Sequence, residues 1–382
     1  MRKIICCILL LCVCAAAVPV SAADAGISVA AKSAVLMDMA TGKVLVEQNA
    51  HEKLAPASVT KVMTMLLIME AIDSGKIDWN DMVVTSEAAA AKGGSQVYLK
   101  VGEQMSVTDM LKSIAVSSAN DCACAMAEHI AGSEAAFVTL MNQRAQELGM
   151  LDTNFVNCTG LDDDPEAKNH LTSAYDIAIM SRELMLRHPQ IKTFTTIWMD
   201  TIRGGTFGLA NTNKLVRFYK GATGLKTGFT SAAGYCLSAT AQRDGMELIA
   251  VVMGAESSQN RFQACKQLLD HGFANYALVR PQSEGDHAVP VKLGKMASVK
   301  AVSAEDTALL VDKGQQNQVR IRIELEESLT APVSKGQRIG TLTVSVGEQV
   351  LRQIPMVAAE GVQKKGFWDI FMDVFRCIAM AA

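Results

Sequence analysis

The sequence predicts an α+β protein with two domains, because strand-like segments bracket a long helical region and a second strand-rich region follows. A chain of 382 residues with 49% hydrophobic residues is long enough to bury two cores. The changes in apolar periodicity predict an export signal over residues 1–25, a first domain over 26–278, a β-rich domain over 279–362 and an amphipathic helix over 363–382.

The N-terminal segment has the three parts of a secretion signal. Arg2 and Lys3 provide the positive start, residues 4–18 the apolar run, and residues 22–25 the small residues of a cleavage site. A transmembrane anchor is the alternative, but the apolar run is short for a membrane span and ends in small residues. We therefore expect cleavage near residues 23–26 and a mature protein that works outside the cytoplasm.

Composition argues against several classes of function. The net charge of −3 is small and the basic residues are scattered, so we expect no nucleic-acid partner. The six His residues form no H-E-x-x-H or comparable cluster, so we expect no metal and no cofactor.

The cysteines that remain after the signal number six, an even count that permits disulfides in an exported protein. They are scattered singly through apolar segments, so we expect most of them to be small buried hydrophobes. A redox role for the first two is the alternative. The six are Cys122, Cys124, Cys158, Cys236, Cys265 and Cys377.

The first domain opens with a predicted hairpin and a buried helix. Apolar-rich runs at 33–38 and 43–47 flank Ala40-Thr41-Gly42, which indicates a hairpin at the edge of a sheet. Residues 58–72 are apolar on nearly every side, which is typical of a helix inside a domain. Ser58 stands at its start.

The middle of this domain is predicted to be helical. Two helical stretches within 108–130 flank the polar break 117–121, and 173–186 has the pattern of an amphipathic helix. Three strands and a closing helix then follow, at 224–230, 234–242, 246–254 and 259–277.

The remaining chain has two further patterns. Residues 319–326 alternate between apolar and charged side chains, as in a strand with one buried face. The C-terminal segment predicts a helix that lies on a membrane surface, although a helix docked on its own protein is the alternative. Its apolar side chains at helical spacing are Phe367, Ile370, Phe371, Val374, Phe375 and Ile378.

Ser58 and Lys61 form the first candidate catalytic pair. Side chains three residues apart project from one face of a helix, so the hydroxyl and the amine can share a hydrogen bond. Serine is a nucleophile only when a neighbour removes its proton, and lysine can do so when burial keeps its amine neutral. Alone, the spacing is a weak signal, because such common residues produce it by chance.

A second candidate group, Ser118-Ala119-Asn120, lies in the break between two predicted helices. There a hydroxyl can relay a proton, and an amide can orient Lys61 and a substrate backbone. Taken alone, Asn120 or Asp121 is better interpreted as a cap of the following helix.

The third candidate group is Lys226-Thr227-Gly228 on a predicted strand. Glycine lets a ligand approach the backbone closely, and lysine and threonine can receive a carboxylate. A surface lysine on a strand is the alternative for this group alone.

Together and in this order, the three groups resemble the S-x-x-K, S-x-N and K-T-G motifs of penicillin-binding proteins and related β-lactamases. The chain is most similar to the low-molecular-mass D-alanyl-D-alanine carboxypeptidases, and the similarity covers nearly the whole mature chain. The resemblance implies a β-lactamase/transpeptidase-like domain, with an antiparallel sheet and helices, before the β-rich domain. Further segments that resemble this family are 54–58, 119–121, 172–176 and 224–234.

The family implies an acyl-enzyme reaction on peptidoglycan stem peptides that end in D-Ala-D-Ala, with β-lactam antibiotics as covalent inhibitors. Ser58 would attack the carbonyl between the two D-alanines, and Lys61 would take its proton. The backbone N–H groups of Ser58 and Phe229 would hold the oxyanion. Ser118 would help Lys61 to protonate the leaving amine.

The same resemblance assigns the substrate contacts. Lys226 and Thr227, beside Gly228, would hold the terminal carboxylate, and Asn120 would hold the peptide. Lys214 resembles a further basic position of the site. Phe229 is a departure, because some relatives carry a polar residue directly after K-T-G.

Two alternative functions remain open at this point. A β-lactamase needs a glutamate that drives deacylation, and Glu166 with Asn169 lies in a loop of plausible position, in surroundings that match that class poorly. A catalytically silent penicillin-sensing or wall-binding module is the other alternative, although every expected chemical group is present.

Overall fold

The computed structural model describes residues 27–163, 165–281 and 287–381, so the predicted export signal lies outside the described residues. The elements of the first domain are, in chain order, β1 (Ser33–Asp38), β2 (Val44–Gln48), α1 (Lys61–Asp73), β3 (Met82–Val84), α2 (Glu87–Ala90), β4 (Gln104–Ser106), α3 (Val107–Ser117), α4 (Asn120–Ala131), α5 (Glu134–Glu147), α6 (Ala174–Arg187), α7 (Lys192–Thr195), β5 (Met199–Ile202), β6 (Phe207–Ala210), α8 (Leu215–Phe218), β7 (Ala222–Thr230), β8 (Gly234–Arg243), β9 (Met246–Ala255) and α9 (Ser258–Asn275).

A five-stranded antiparallel sheet organises this domain, in the order β2-β1-β9-β8-β7. Strands from the two ends of the domain meet where β1 pairs with β9, and the predicted hairpin forms one edge, as expected. Helix α9 packs on one face of the sheet and α6 on the other. The α+β prediction is confirmed. Strand β7 forms the other edge of the sheet and contacts the turn of residues 57–60, which includes Ser58.

Helix α1 occupies the centre of the helical layer. Every residue from Lys61 to Met69 is buried, and α3, α4 and α6 all pack against the helix. The helix is therefore apolar around its circumference because other elements of the domain surround it, as the sequence predicted. The predicted start at Ser58 was wrong, because residues 57–60 form a 3₁₀ turn and the α-helix begins at Lys61. Ala57 has φ +48°, which a regular helix does not contain.

The second domain is built from strands, as predicted. Its elements are β10 (Tyr276–Val279), β11 (Ala288–Lys292), β12 (Ser298–Ser303), β13 (Leu309–Asp312), β14 (Val319–Leu325), β15 (Leu329–Thr330), β16 (Arg338–Val346) and β17 (Gln349–Ala358). Six of them form a sheet in the order β14-β16-β17-β12-β11-β15, and β10 pairs with β13. The predicted closing helix of the first domain ends slightly early, since its last two expected residues belong to β10.

A C-terminal helix, α10 (Phe367–Ala381), follows the second domain, as the apolar spacing predicted. Its aromatic side chains are exposed: Phe367 is 75% exposed and Trp368 is 72% exposed. Among the described helices, none is both long and apolar enough to span a bilayer.

Candidate active site

Ser58 and Lys61 are in direct contact. The Lys61 Nζ atom lies 2.9 Å from Ser58 Oγ and 2.8 Å from the carbonyl oxygen of Thr159. Lys61 is fully buried, whereas Ser58 is partly exposed at the surface of the 3₁₀ turn. The 3₁₀ turn therefore presents the hydroxyl to a ligand while the amine remains inside the protein.

The amine of Lys61 is suited to accept a proton. Burial lowers its pKa to about 7, against the opposing influence of the Asp121 carboxylate. The Thr159 carbonyl can only accept a hydrogen bond, so it takes an N–H of Lys61. In the neutral amine this leaves the lone pair free for the Ser58 hydroxyl proton, which is the arrangement that general-base activation of a serine requires.

The second motif lies between α3 and α4, the helices that pack against α1. Ser118 ends α3 in the left-handed conformation, with φ +64°, and is 4% exposed. Asn120 begins α4, and its Nδ2 donates to the Gly93 carbonyl at 2.7 Å while its backbone N–H donates to Ser95 O at 2.7 Å. Within the described part of the chain the buried Asn120 Oδ1 has no hydrogen-bond partner. It is an acceptor available to a ligand N–H.

Asp121 organises the loop that faces this motif. Its carboxylate accepts the backbone N–H groups of Val97 at 3.1 Å, Leu99 at 3.0 Å and Cys122 at 2.9 Å. The residue at the N-cap position of α4 is Ala119, which makes no side-chain cap bond. Neither Asn120 nor Asp121 occupies the N-cap position of α4, so the alternative interpretation as an ordinary helix cap is wrong. Both side chains hold the 93–99 loop, and Asp121 also accepts the N–H of Cys122 in the first turn of the helix.

The third motif lies on β7 and brings a second buried amine to the site. Lys226 is 1% exposed, and its Nζ donates to the Thr227 carbonyl at 2.9 Å. Burial holds its pKa well below the usual value, and the charges of Lys61 and Arg261 act in the same direction. The hydroxyl of Thr227 lies 2.6 Å from that of Thr212. The surface-lysine alternative is thus wrong for Lys226.

Gly228 lies where β7 comes close to the backbone of residues 56–59, which includes Ser58. A Cβ atom at this position would lie 2.6 Å from the Pro56 carbonyl oxygen and 3.0 Å from the backbone nitrogen atoms of Ser58 and Val59. Those atoms are backbone, so they cannot move aside as a flexible side chain can. Only glycine allows the edge strand to lie this close to Ser58.

Replacement of Gly228 by alanine is therefore expected to push β7 away from the turn and to slow acylation by penicillin roughly 100-fold, because small misplacements of reacting groups are costly. Stopped-flow measurement with a fluorescent penicillin tests this. Gly208→Ala is the matched control, because a Cβ there meets no atom within 4 Å. An unchanged rate in Gly228→Ala would contradict the role of this contact.

The two remaining predicted site residues, Phe229 and Lys214, are both exposed. Phe229 follows Gly228 on β7, is 52% exposed and packs on Tyr235 with ring centroids 4.3 Å apart. Lys214 is exposed before α8 and lines an open cavity of about 600 Å³ together with Phe262 and Lys266. Among the described residues no hydrogen bond or ion pair joins Lys214 to the catalytic pair. Its assignment to the site stays a prediction.

Arg261 is a residue of this region that the sequence interpretation missed. It comes from α9, is 8% exposed, and its Nη1 donates to the Gly228 carbonyl at 2.9 Å. Its guanidinium carbon lies 5.4 Å from the Tyr235 ring centroid. A single arginine in an amphipathic helix carries no motif, and only the packing of α9 on β8 brings it behind the K-T-G strand.

Five of the six predicted mature-chain cysteines are free and buried, as predicted for most of them: Cys122, Cys124, Cys158, Cys236 and Cys265. Cys124 lies 3.8 Å from Glu134 Oε2 and Cys158 lies 3.2 Å from Glu134 Oε1. Burial raises the pKa of the Cys122 thiol well above its usual value. Cys122 and Cys124 are thus buried, as their interpretation as packing residues predicted.

Comparison with known proteins places this site in a family. The profile of the D-alanyl-D-alanine carboxypeptidase family matches residues 18–257, and that of the penicillin-binding protein 5 C-terminal domain matches 276–364. The D-alanyl-D-alanine carboxypeptidase DacF of Bacillus subtilis is 46% identical over 343 residues, 88% of this chain and 87% of the relative.

Solved structures agree with the sequence comparisons. Penicillin-binding protein 5 from Haemophilus influenzae superposes with a TM-score of 0.75 at 32% identity, over 89% of this chain and 99% of that chain. Penicillin-binding protein D2 from Listeria monocytogenes, solved in an ampicillin-bound form, gives a TM-score of 0.59 at 32% identity, over 65% of this chain and 99% of that chain.

The chain belongs to the D-alanyl-D-alanine carboxypeptidase family. It is a hydrolase of the penicillin-binding type, and both the resemblance and the fold inferred from the sequence are confirmed. The β-lactamase and the silent-module alternatives are not favoured, because the profile that matches the first domain and the relatives that match most of the chain are those of D-alanyl-D-alanine carboxypeptidases.

Proposed function

We propose that Ser58 is the nucleophile and Lys61 the base of a carboxypeptidase that removes the terminal D-alanine from peptidoglycan stem peptides. The observation that carries this proposal is the 2.9 Å contact between a partly exposed hydroxyl and a buried amine whose pKa is about 7. The Ser58 oxygen attacks the carbonyl between the two D-alanines as its proton moves to Lys61 Nζ. The backbone N–H groups of Ser58 and Phe229 stabilise the oxyanion.

The tetrahedral intermediate then collapses and the peptide bond breaks. The proton held by Lys61 passes, through the Ser118 hydroxyl, to the departing amine, so free D-alanine leaves and an ester remains on Ser58. Water attacks this ester as Lys61 accepts its proton, and Lys61 then returns the proton to Ser58 Oγ as the ester bond breaks, so the shortened peptide leaves and the serine is restored. β-Lactams enter the same first step and stay attached, which makes them covalent inhibitors.

Substrate binding uses the groups around this pair. The unpartnered Asn120 Oδ1 accepts an N–H of the stem peptide. Thr227, on the edge strand, receives the terminal carboxylate in the positive field of Lys226 and Arg261. Because burial and mutual repulsion hold down the pKa of Lys226, a bound carboxylate favours its charged form. Lys214 is assigned a supporting role in substrate binding on its resemblance to a basic position of the family alone.

A direct assay tests the activity. The purified protein is incubated with a peptide that ends in Lys-D-Ala-D-Ala, and free D-alanine is quantified beside hydrolysis of penicillin. We expect D-alanine release with a long-lived penicillin adduct. Rapid penicillin turnover without D-alanine release would identify a β-lactamase, and neither activity in a folded protein would identify a silent module.

The pH profile tests the state of Lys61. Acylation requires the neutral amine, so its rate constant is expected to fall as pH drops through about 7 and to approach a tenfold loss per unit further down. Stopped-flow acylation by a fluorescent penicillin from pH 5 to pH 9 measures this limb. A rate constant that stays flat to pH 5 would contradict a lysine base.

We further propose that the protein acts outside the cytoplasm, at the outer face of the cytoplasmic membrane. Residues 1–25 serve as the export signal, 26–278 as the catalytic domain, 279–362 as the β-rich domain and 363–382 as the membrane-surface helix. The exposed aromatic face of α10 supports this attachment, since such a face inserts at the level of lipid headgroups.

Charges on the apolar face of α10 are expected to release the protein from lipid. The variant Phe371→Asp/Phe375→Asp should no longer sediment with vesicles of anionic phospholipid, because both side chains are at least half exposed on this face. Release of D-alanine from a soluble peptide should stay unchanged. Leu151→Asp, at an 85% exposed position of the first domain, is the matched control. Continued sedimentation of the double variant would contradict this role of α10.

A further inference from the structure

We infer that His170 is a positioning residue for acylation, because its imidazole bonds both to the turn that carries Ser58 and to the segment that carries the Thr159 carbonyl. Each of these two backbone segments supplies one hydrogen-bond partner of Lys61. The inference rests on the proposed roles of Ser58 and Lys61.

The contacts of the imidazole assign its tautomer. The Nδ1 atom accepts the backbone N–H of Val156 at 3.0 Å, so the proton lies on Nε2. The Nε2 atom is 2.8 Å from the hydroxyl oxygen of Thr60 and donates to it. That hydroxyl in turn donates to the Ala57 carbonyl at 2.8 Å. A chain of three hydrogen bonds therefore runs from the 156–160 segment to the residue before the nucleophile.

The turn needs this support because its backbone is strained. Ala57 has φ +48°, a region that a residue with a Cβ seldom occupies. Gly160 lies directly against it, and a Cβ at residue 160 would be 1.9 Å from the Ala57 carbonyl oxygen. The 156–160 segment thus lies in close contact with the turn, and the bond from Thr60 holds the Ala57 carbonyl at this contact. Loss of that bond would let the strained turn relax and move Ser58 Oγ relative to Lys61 Nζ.

His170 stays in the form that this arrangement needs. It is 3% exposed, and burial, together with the charge of Lys61, lowers its pKa to about 4. Near neutral pH the ring is therefore uncharged and Nδ1 remains an acceptor for Val156. The hydrogen-bond partners of the ring are Thr60 and the backbone of the 156–157 segment, not the Ser58 hydroxyl, so it acts on the reaction only through the geometry of the turn.

Two variants break the link to the turn from opposite ends. His170→Asn keeps an acceptor near the Nδ1 position for Val156 but removes the donor to Thr60, and Thr60→Val keeps the side-chain shape but removes the hydroxyl. Stopped-flow reaction with a fluorescent penicillin separates the dissociation constant of the first complex from the acylation rate constant. We expect each variant to lower the rate constant roughly 10- to 100-fold, with the dissociation constant nearly unchanged.

The double variant and two controls give the test its specificity. His170→Asn/Thr60→Val should acylate about as slowly as the slower single variant, because both changes remove the same link. Thr60→Ser, which retains a hydroxyl, should restore the wild-type rate constant. His188→Asn should leave it unchanged, since that buried histidine bonds Asp73 at 2.6 Å at the far end of α1.

Active-site titration of the same samples separates positioning from folding. A reduced fraction of reactive protein that still acylates at the wild-type rate constant would overturn the inference, as would a wild-type rate constant in either single variant. If His170→Asn does not fold, Thr60→Val alone decides by the same criteria. Ser58→Ala separates a failure of the proposed function from a failure of this inference. If Ser58→Ala still acylates, the proposed nucleophile is wrong. If Ser58→Ala is inert but Thr60→Val is fully active, only the role of His170 is rejected.

Discussion

Replacement of Ser58 by alanine is expected to reduce D-alanine release by about 10⁴-fold or more, and to abolish covalent labelling by penicillin. No acyl-enzyme can form without the hydroxyl, and the remaining oxyanion donors and substrate contacts support only a slow direct attack by water. The fold should persist, because Ser58 is partly exposed and the 3₁₀ turn is held by neighbouring residues rather than by its side chain. Chromatographic measurement of released D-alanine checks the first effect.

Ser74→Ala is the matched control for this variant. Ser74 lies at the opposite end of α1, where its hydroxyl donates to the Ala71 carbonyl at 3.1 Å, so its loss should not alter the reaction. Continued labelling of Ser58→Ala by penicillin, with labelling of the control at the same level, would mean that another residue is the nucleophile.

Replacement of Lys61 by methionine is expected to have two opposite effects. Acylation should fall by about 10⁴-fold or more, since the base is lost while the serine remains. The melting temperature at pH 7 should rise, because an amine that must give up its proton to be buried is replaced by an apolar side chain of similar length. A gain in stability with a loss of activity is typical when the replaced catalytic group lowers the free energy of unfolding.

The pH dependence of that gain follows from proton linkage. Burial lowers the pKa of Lys61 from 10.5 to about 7, so between these values the unfolded state binds more protons than the folded state. The stability of the wild type therefore rises with pH across this window, and the advantage of Lys61→Met should shrink from pH 7 towards pH 10. Thermal unfolding at several pH values measures it, with the exposed Lys76→Met as control. An advantage that does not change with pH would contradict a neutral buried amine.

Much of the fold followed from local patterns. The all-round apolar surface of residues 61–69 predicted a central helix, and the strand runs and their turns predicted the antiparallel sheet with the hairpin at its edge. The point where α1 begins did not follow, because the positive φ of Ala57 occurs where the turn lies against Gly160, a residue far away in the sequence.

The site was predictable where side-chain chemistry repeats a family motif, and less so where it depends on packing. The three motifs identified Ser58 and Lys61, whose contact the structure contains. Burial of Lys226 and the approach of Gly228 to the turn depend on how the edge strand packs, which periodicity does not describe. Arg261 and His170 have no motif of their own, and each reaches the site only through a tertiary hydrogen bond.

Peptide mapping of the penicillin adduct is the most direct test of the central claim, that the acyl group forms on Ser58. After reaction and tryptic digestion, we expect the added mass on the peptide of residues 54–61, which trypsin releases at Lys53 and Lys61, with fragmentation that places it on Ser58 rather than on Thr60. An adduct on any other peptide would contradict the assignment of the nucleophile and of its lysine base.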